Sequence, residues 1–405
     1  MGSRVLVVGC GAREHALAWR LAGSPSVDAV EAAPGNPGME QLGPCHAVQP
    51  LEPLEVADLA RRRRIDLVVV GPEAPLVAGI ADELRRHGIA VFGPTAAAAR
   101  IEGSKAFAKE VMDAAGVATA VYASHTDAPA ALRALERFRP PYVVKADGLA
   151  AGKGVVIAET REEAVSAIED ALVRRVFGEA GARVVLEEYL EGPEVSVFAL
   201  CDGSDTLLLP PSQDFKRALE GDRGPNTGGM GAYTPVPAFD ADDAKDLRET
   251  LFRPVLDELK DRGCPYQGLL YAGLALTPDG VKVLEFNCRF GDPETQVVVP
   301  RIRSDLGELL AATVDPSRGV RNADLDLADE ALVTVVLASG GYPGRYQVGR
   351  PISGLREVAA QHPDVLVFHA GTRRADGGQL VTAGGRVLSV TGRGADVPSA
   401  RGGGG

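Results

Sequence analysis

The chain has 405 residues, 45% of them hydrophobic, with 43 basic and 55 acidic side chains and a formal charge of −12. That length suits about two to four domains, and the acidic balance disfavours non-specific binding to nucleic acid or acidic membrane surfaces. Five cysteines at 10, 45, 201, 264 and 288 have no paired spacing; this argues against a disulfide framework or zinc ribbon and for free thiols in a reducing compartment. With no leader-like segment and no run of about 18 apolar residues, the expectation is a soluble, cytoplasmic protein.

The first hundred residues alternate strand and helix signals. Residues 4–9, 65–71 and 89–93 are apolar, strand-like runs, and 13–21 and 77–87 have helical spacing. Apolar strands alternating with helices predict a parallel sheet covered on both faces. Gly103-Ser104 opens a helix to about residue 115, with Ser104 as its N-cap. From 142 the texture changes. Two strands flank a glycine loop at 148–154, a helix covers 161–174, and strands follow at 183–190 and 194–203. This block resembles a small α+β lobe set into a larger domain. Residues 211–235 are polar and glycine-rich and read as irregular. A helix is expected over 241–262, then a hairpin of 271–277 and 281–288 about the turn Pro278-Asp279-Gly280. A composition shift at 315–330 reads as a linker. The tail carries short strands and glycine turns, and its last residues, 401–405, are expected to be disordered.

Five segments concentrate chemistry. Gly9-Cys10-Gly11 follows a strand and precedes a helix, a geometry that aims backbone N–H groups at an anion. A dinucleotide fingerprint requires a third glycine where Glu14 stands, although Glu31 falls near the position of a ribose-binding acid. A dinucleotide, another phosphate ligand and simple tight packing all remain open. Residues 148–154 (GLAAGKG) lie between strands, so they are not a Walker A loop. A glycine hairpin carrying Lys153 can close over phosphates, with Lys145 on the preceding strand as a second cation; a solvated turn is the bland alternative. Residues 187–194 connect two strands and can run past a planar ligand, with Glu194 near ribose hydroxyls, or else form a solvated acidic loop. Glu285 and Asn287 are two apart on a strand and share a face. They offer the hard oxygens that Mg²⁺ accepts while bridging phosphates. Arg289 continues on that face if the strand persists, where it can stabilise developing charge. In 212–231, Asp214 and Lys216 precede a glycine-rich stretch that permits close backbone approach, or an Ω-loop without function.

Taken together, the chain resembles the phosphoribosylamine–glycine ligases of the ATP-grasp superfamily. The resemblance is carried by GCGAREHALAW (9–19), APGN (33–36), VGPEAPLVAG (70–79), FGPT (92–95), EGSKAF (102–107), VKADGLAAGKGV (144–155), SQDFKR (212–217), GPNTGGMGAY (224–233), LYAGL (270–274), EFNCRFGDPETQ (285–296) and SGGYPG (339–344), in order over roughly 1–392. It implies an α/β N-terminal pre-ATP-grasp domain with a parallel sheet (1–103). A split α+β ATP-grasp core (104–315) follows, with a mobile lobe at about 120–192, and then a small C-terminal domain (325–405). ATP and Mg²⁺ (or Mn²⁺) are the implied cofactors, and glycine and 5-phosphoribosylamine the implied substrates, with no nucleic acid or membrane partner and a monomeric state.

By that resemblance, Lys105 and Lys145 contact ATP phosphates under a flap that includes Gly152, Lys153 and Gly154. Glu187, Tyr189 and Leu190 line the adenine hinge, Glu194 meets the ribose, and Glu285 and Asn287 hold the metal. Gly11, Asn36, Glu73, Asp214 and Lys216 are assigned to the amine substrate, and Arg289, Gly291 and Asp292 to the junction of the two substrates. Arg289, Lys153 and Asp292 carry the catalytic roles. Two departures stand out. Ala12 replaces a glycine usual in the N-terminal loop. After 384–392 the residues 395–405 do not read as the family's usual helix and final strand, so the C-terminal domain is expected to be truncated, with apolar surface exposed. Alternative readings are another ATP-grasp carboxylate–amine ligase, an NAD-dependent oxidoreductase, and an inactive binding protein.

Overall fold

The computed structural model describes residues 2–150, 154–221, 223–239, 243, 246–315 and 317–404. Near the N-terminus, β1 (Ser3–Gly9), β2 (Val27–Pro34), β3 (Leu67–Val70) and β4 (Ala90–Phe92) form a parallel sheet in the order β2-β1-β3-β4. Val5 to Val8 are fully buried because the sheet is covered on both faces. Alternate side chains divide between the covers. Val5 and Val7 meet Leu17 and Leu21 of the helix Ala12–Ala22, whereas Leu6 and Val8 join the core of the helices Pro53–Arg63 and Ile80–Arg86. The expected parallel architecture is present.

A second sheet is antiparallel. Its strands β5 (Tyr122–His125), β6 (Tyr142–Ala146), β7 (Val155–Ala158) and β8 (Val184–Glu188) run in the order β5-β8-β6-β7. The helices Ala128–Leu135 and Arg161–Leu172 share its core through Ala131, Leu135, Ile168 and Leu186. Thr160 and Glu163 form a reciprocal capping box at the second helix.

The largest sheet has eight strands. It contains β9 (Glu194–Asp202), β10 (Thr206–Leu219), β11 (Arg223–Thr234), β12 (Gln267–Thr277), β13 (Gly280–Asn287), β14 (Ala331–Ala338), β15 (Leu366–His369) and β18 (Arg386–Gly394). The order is β13-β12-β9-β10-β11-β14-β18-β15, so the C-terminal strands extend the central sheet through the β11–β14 pair. A separate ribbon pairs β16 (Thr372–Arg374) with β17 (Leu380–Thr382). The C-terminal segment also meets the first helix. Phe368 stacks edge-on against His15 and Trp19, and the His369 N–H donates to His15 Nδ1 at 2.8 Å.

Three expectations are corrected. Residues 211–235 are not irregular: β10 and β11 are long strands whose pairing slips on either side of Arg217. Glycines and register breaks erase the two-residue hydrophobic period that announces a strand. In place of one regular helix over 241–262, the described residues show a π-helical turn, Arg248–Phe252, before the helix Arg253–Asp261. The end of the chain is neither disordered through 401–404 nor without a packing helix. The helix Val397–Gly404 lies on β14 and β18 with Ala400 fully buried, and Asp396 accepts the Ser399 N–H at 2.8 Å. Small residues carry weak helical signal, but here they allow close packing. Among the described residues, no helix is long and apolar enough to cross a membrane.

Candidate active site

A cavity of about 430 Å³ lies where these units meet. One end is built on lysines. The helix Lys105–Ala115 starts at Ser104, whose Oγ accepts the Phe107 N–H at 3.1 Å, as the sequence predicts, and donates to Asp147 at 3.0 Å. Lys105 Nζ donates to Gly148 O at 3.2 Å. Lys145, on β6, reaches Glu187 Oε2 on β8 at 2.9 Å and Leu284 O at 3.3 Å. Lys109, one helical turn after Lys105, meets the same carboxylate oxygen at 3.2 Å. Burial pushes the Lys109 ammonium down to about 8, with Glu187 opposing; burial also lowers Lys105, against the pull of Glu285. Glu187 Oε1 is buried without a hydrogen-bond partner among the described residues.

Gly154 lines this end with Leu149 and Ala150, while Gly152 and Lys153 lie outside the described residues. Tyr189 is exposed and, with Leu190, follows the end of β8; neither lines the cavity. Glu194 opens β9 and pairs with Lys216 at 3.0 Å.

In the middle, Glu285 and Asn287 alternate on β13 and both face the cavity. Burial raises the Glu285 carboxyl, but Lys216, Lys145, Lys105 and Arg289 outweigh it and hold it below its ordinary range. Lys216 Nζ lies 4.0 Å from Glu285 and 3.9 Å from Asp214. Asp214 is pushed up to about 7 by burial and by Glu294, Glu194 and Glu285, with Lys216 opposing. Asp214 and Lys216 therefore form one charged group with Glu194 and Glu285, beside the side chains that line the cavity.

The other end is built on arginines. β13 stops at Asn287, so Arg289 enters from the following loop instead of continuing the alternation. It pairs with Glu73 at 3.2 Å and with Glu102 at 3.1 Å. Glu102 in turn accepts the Cys288 N–H at 2.7 Å. Arg13 donates to Phe290 O at 3.1 Å. Asp292 lies 2.8 Å from Arg386; burial raises its carboxyl, but Arg386 and Arg13 bring it below the ordinary value. Gly291 backs onto the Glu294 carboxylate, which leaves no room for a Cβ.

Two predicted substrate residues are occupied internally. Asn36 is buried. It donates to Cys10 O and His369 O and accepts from the Gly38 and Met39 N–H groups. The Gly11 N–H donates to Glu14 Oε2 at 2.6 Å. Glu14 fills the glycine turn, where Gly9 has φ +131° and a Cβ would strike Glu14 at 2.5 Å. In this structure the turn is packed by the Glu14 side chain. Glu31 is likewise consumed, by Arg4, Arg63 and His46, so neither feature of a dinucleotide site is available.

The sequence reading missed Arg13, Glu102, Lys109, Tyr342 and Arg386 as cavity residues. Lys109 had a legible signal, its four-residue spacing from Lys105. Arg386 had none, because only the fold carries β18 to the cavity.

Sequence models of phosphoribosylglycinamide synthetase match as its N domain over residues 3–102, its ATP-grasp (A) domain over 103–295 and its C domain over 332–403. The chain belongs to the phosphoribosylglycinamide synthetase family. Members of this ATP-grasp ligase family include the phosphoribosylamine–glycine ligase of Streptomyces coelicolor, 53% identical over 402 residues, 98% of this chain and 93% of that one. The trifunctional purine biosynthetic protein adenosine-3 of Gallus gallus is 50% identical over 394 residues, which are 96% of this chain and 39% of that protein. The crystal structure of the Thermotoga maritima phosphoribosylamine–glycine ligase superposes with a TM-score of 0.85 at 33% identity, covering 98% of this chain and 94% of that one. Against the family's domain division, the cavity draws Arg13 and Glu73 from the N domain, its lysines and Glu285 from the ATP-grasp domain, and Arg386 from the C domain.

Proposed function

We propose that the chain joins glycine to 5-phosphoribosylamine at the expense of ATP, giving glycinamide ribonucleotide, ADP and phosphate in de novo purine synthesis. The observation that carries the reading is the convergence of Lys105, Lys145, Glu285, Asn287, Arg289 and Asp292 on one cavity in a chain of this family. Glycine's carboxylate is a poor electrophile. A carboxylate oxygen attacks the γ-phosphorus and ADP leaves, forming glycyl phosphate. The amine nitrogen then attacks the carbonyl carbon, phosphate leaves, and the nitrogen loses a proton.

In this reading Lys105 and Lys145 bind and orient the phosphates. Gly152, Lys153 and Gly154 close over them and exclude water from the acyl phosphate. Glu187, with Tyr189 and Leu190, receives the adenine, and Glu194 the ribose. Glu285 and Asn287 would hold a divalent cation, Mg²⁺ or Mn²⁺, to which they offer hard oxygen donors. They are two hard donors on one cavity wall, and no cluster of three or more His, Cys, Asp or Glu among the described residues forms a cage. When bound, such a cation would neutralise charge on the transferred group. Arg289, held between Glu73 and Glu102, faces the phosphoryl oxygens, and Asp292 and Gly291 lie toward the amine. Gly11, Asn36, Glu73, Asp214 and Lys216 receive the amine substrate. The cytoplasm and a single chain suffice for this chemistry.

Phosphate release from ATP, with each substrate omitted in turn, tests the proposal. Turnover is expected only with glycine and phosphoribosylamine together. Equal turnover with alanine in place of glycine, or none with both substrates, overturns it.

A further inference from the structure

Asp292 is gripped almost entirely by one strand of the C-terminal segment, β18. Arg386 Nη2 donates to Asp292 Oδ2 at 2.8 Å, and Arg386 Nη1 donates to the main-chain oxygen of the same residue at 3.0 Å. The other carboxylate oxygen, Oδ1, accepts from Gln296 Nε2 at 2.8 Å. Gln296 is itself tied to β18, through Ser389 Oγ at 3.3 Å and through its carbonyl, which accepts from Thr391 Oγ1 at 3.2 Å. Both carboxylate oxygens are thus aimed by β18, one directly and one through a buried amide.

The same guanidinium fixes the facing wall. Arg386 Nη1 donates to Gly228 O at 2.5 Å, and the Gly228 N–H donates to Tyr342 Oη at 3.0 Å. Gly229, at φ +104°, lies so close to Pro293 that a Cβ would meet its ring at 2.3 Å. Gly228, Asp292, Tyr342 and Arg386 all line the cavity. A planar fork that holds a carboxylate oxygen and two carbonyls from separate segments imposes a geometry that a flexible ammonium cannot reproduce.

We propose that Arg386 is a positioning residue for the amine half of the reaction. It acts through Asp292 and the Gly228 backbone, so that the C-terminal segment sets the arginine end of the cavity and leaves the lysine end untouched. This inference rests on the reading that the arginine end receives the amine substrate. No hydrogen bond or ion pair of Arg386 runs to Lys105, Lys145 or Glu187 among the described residues, so an effect on ATP binding is not expected.

The test is a cycle of Arg386→Met, Asp292→Asn and the double variant, with Arg386→Lys as the conservative form. The kcat and the separate KM values for ATP, glycine and phosphoribosylamine are measured for each. Arg386→Met is expected to raise the phosphoribosylamine KM by about tenfold or more, the scale on which orienting residues act, with the ATP KM unchanged. Arg386→Lys should recover part of the loss. The double variant should lose no more than Asp292→Asn alone, since coupled residues are non-additive. Losses that multiply across the cycle, an ATP KM that rises in step with the amine KM, or an unchanged amine KM overturn the proposal. If Arg386→Met does not fold, Arg386→Lys and Tyr342→Phe take its place, and an amine KM unmoved in both overturns it equally. Wild-type protein that fails to consume ATP with both substrates sinks the reading of the function; wild-type activity with no selective shift sinks only this inference.

Discussion

The two ends of the cavity are assembled in opposite ways. At the lysine end, Lys105, Lys109, Lys145 and Glu187 come from one helix and two paired strands within the ATP-grasp domain, and one carboxylate oxygen serves two ammonium groups. At the arginine end, Arg13, Arg289, Asp292 and Arg386 come from all three domains, and each guanidinium spans two segments or more. The contrast teaches where the reaction depends on domain assembly. The lysine end is built within one domain, whereas the arginine end draws on all three.

The strongest challenge to this contrast is at Arg289. Arg289→Lys keeps a positive charge but loses the fork that reaches Glu73 and Glu102 together. A fall in kcat of roughly 10²–10³-fold, with little change in ATP KM, is the expected outcome. Complete removal by Arg289→Ala takes the shared cation from the largely buried Glu102 and the part-exposed Glu73, so loss of folding there would be uninformative. Steady-state kinetics of the lysine variant gives the cleaner reading, and near-normal turnover would break the assignment.

At the other end, Lys145→Met should act on ATP alone. An ATP KM raised by roughly 10–100-fold beside unchanged values for glycine and the amine would sharpen the contrast; parallel shifts in all three would erase it. A smaller effect is expected for Lys109→Met, which leaves Lys145 on Glu187. Nucleotide titration should show affinity weakened by up to about tenfold, and tighter binding would contradict its place in the lysine group.

The smallest effect concerns docking. His15 and His369 are buried where the N-terminal helix meets the C-terminal segment. Burial, with help from His369, takes His15 down to about 3; burial and Arg374 take His369 down to about 4. Both are neutral when folded and take up protons more readily when unfolded. Their contribution is therefore full above the unfolded value near 6.5, and it is lost as pH falls toward about 4 and then about 3. Thermal midpoints should drop between pH 7 and pH 5, and His15→Asn, which keeps an acceptor for the His369 N–H, should flatten that slope. An equal slope in the variant would remove His15 from the account.

Legibility in the sequence followed the same division. Glu285 and Asn287 were readable because a two-residue alternation on one strand needs no tertiary information, and Lys145 stood beside a glycine loop, whereas Lys105 came from the family resemblance alone. The parallel sheet was readable from unbroken apolar runs such as Val5 to Val8. The arginine end was only partly visible, since Arg386 sits among ordinary strand residues and acquires its partners from sheet order alone. Strands β10 and β11 were hidden because glycines and slipped register replace the hydrophobic period. Asn36 and Gly11 sit in conspicuous motifs, and what the sequence did not show is that their polar groups meet the protein's own backbone and Glu14.

The most direct test is a crystal structure with a non-hydrolysable ATP analogue and a divalent cation. The account predicts the triphosphate against Lys105 and Lys145, the cation beside Glu285 and Asn287, and open space between Arg289 and Asp292. A triphosphate seated on the Gly9–Gly11 turn, or a cation away from Glu285, would contradict it.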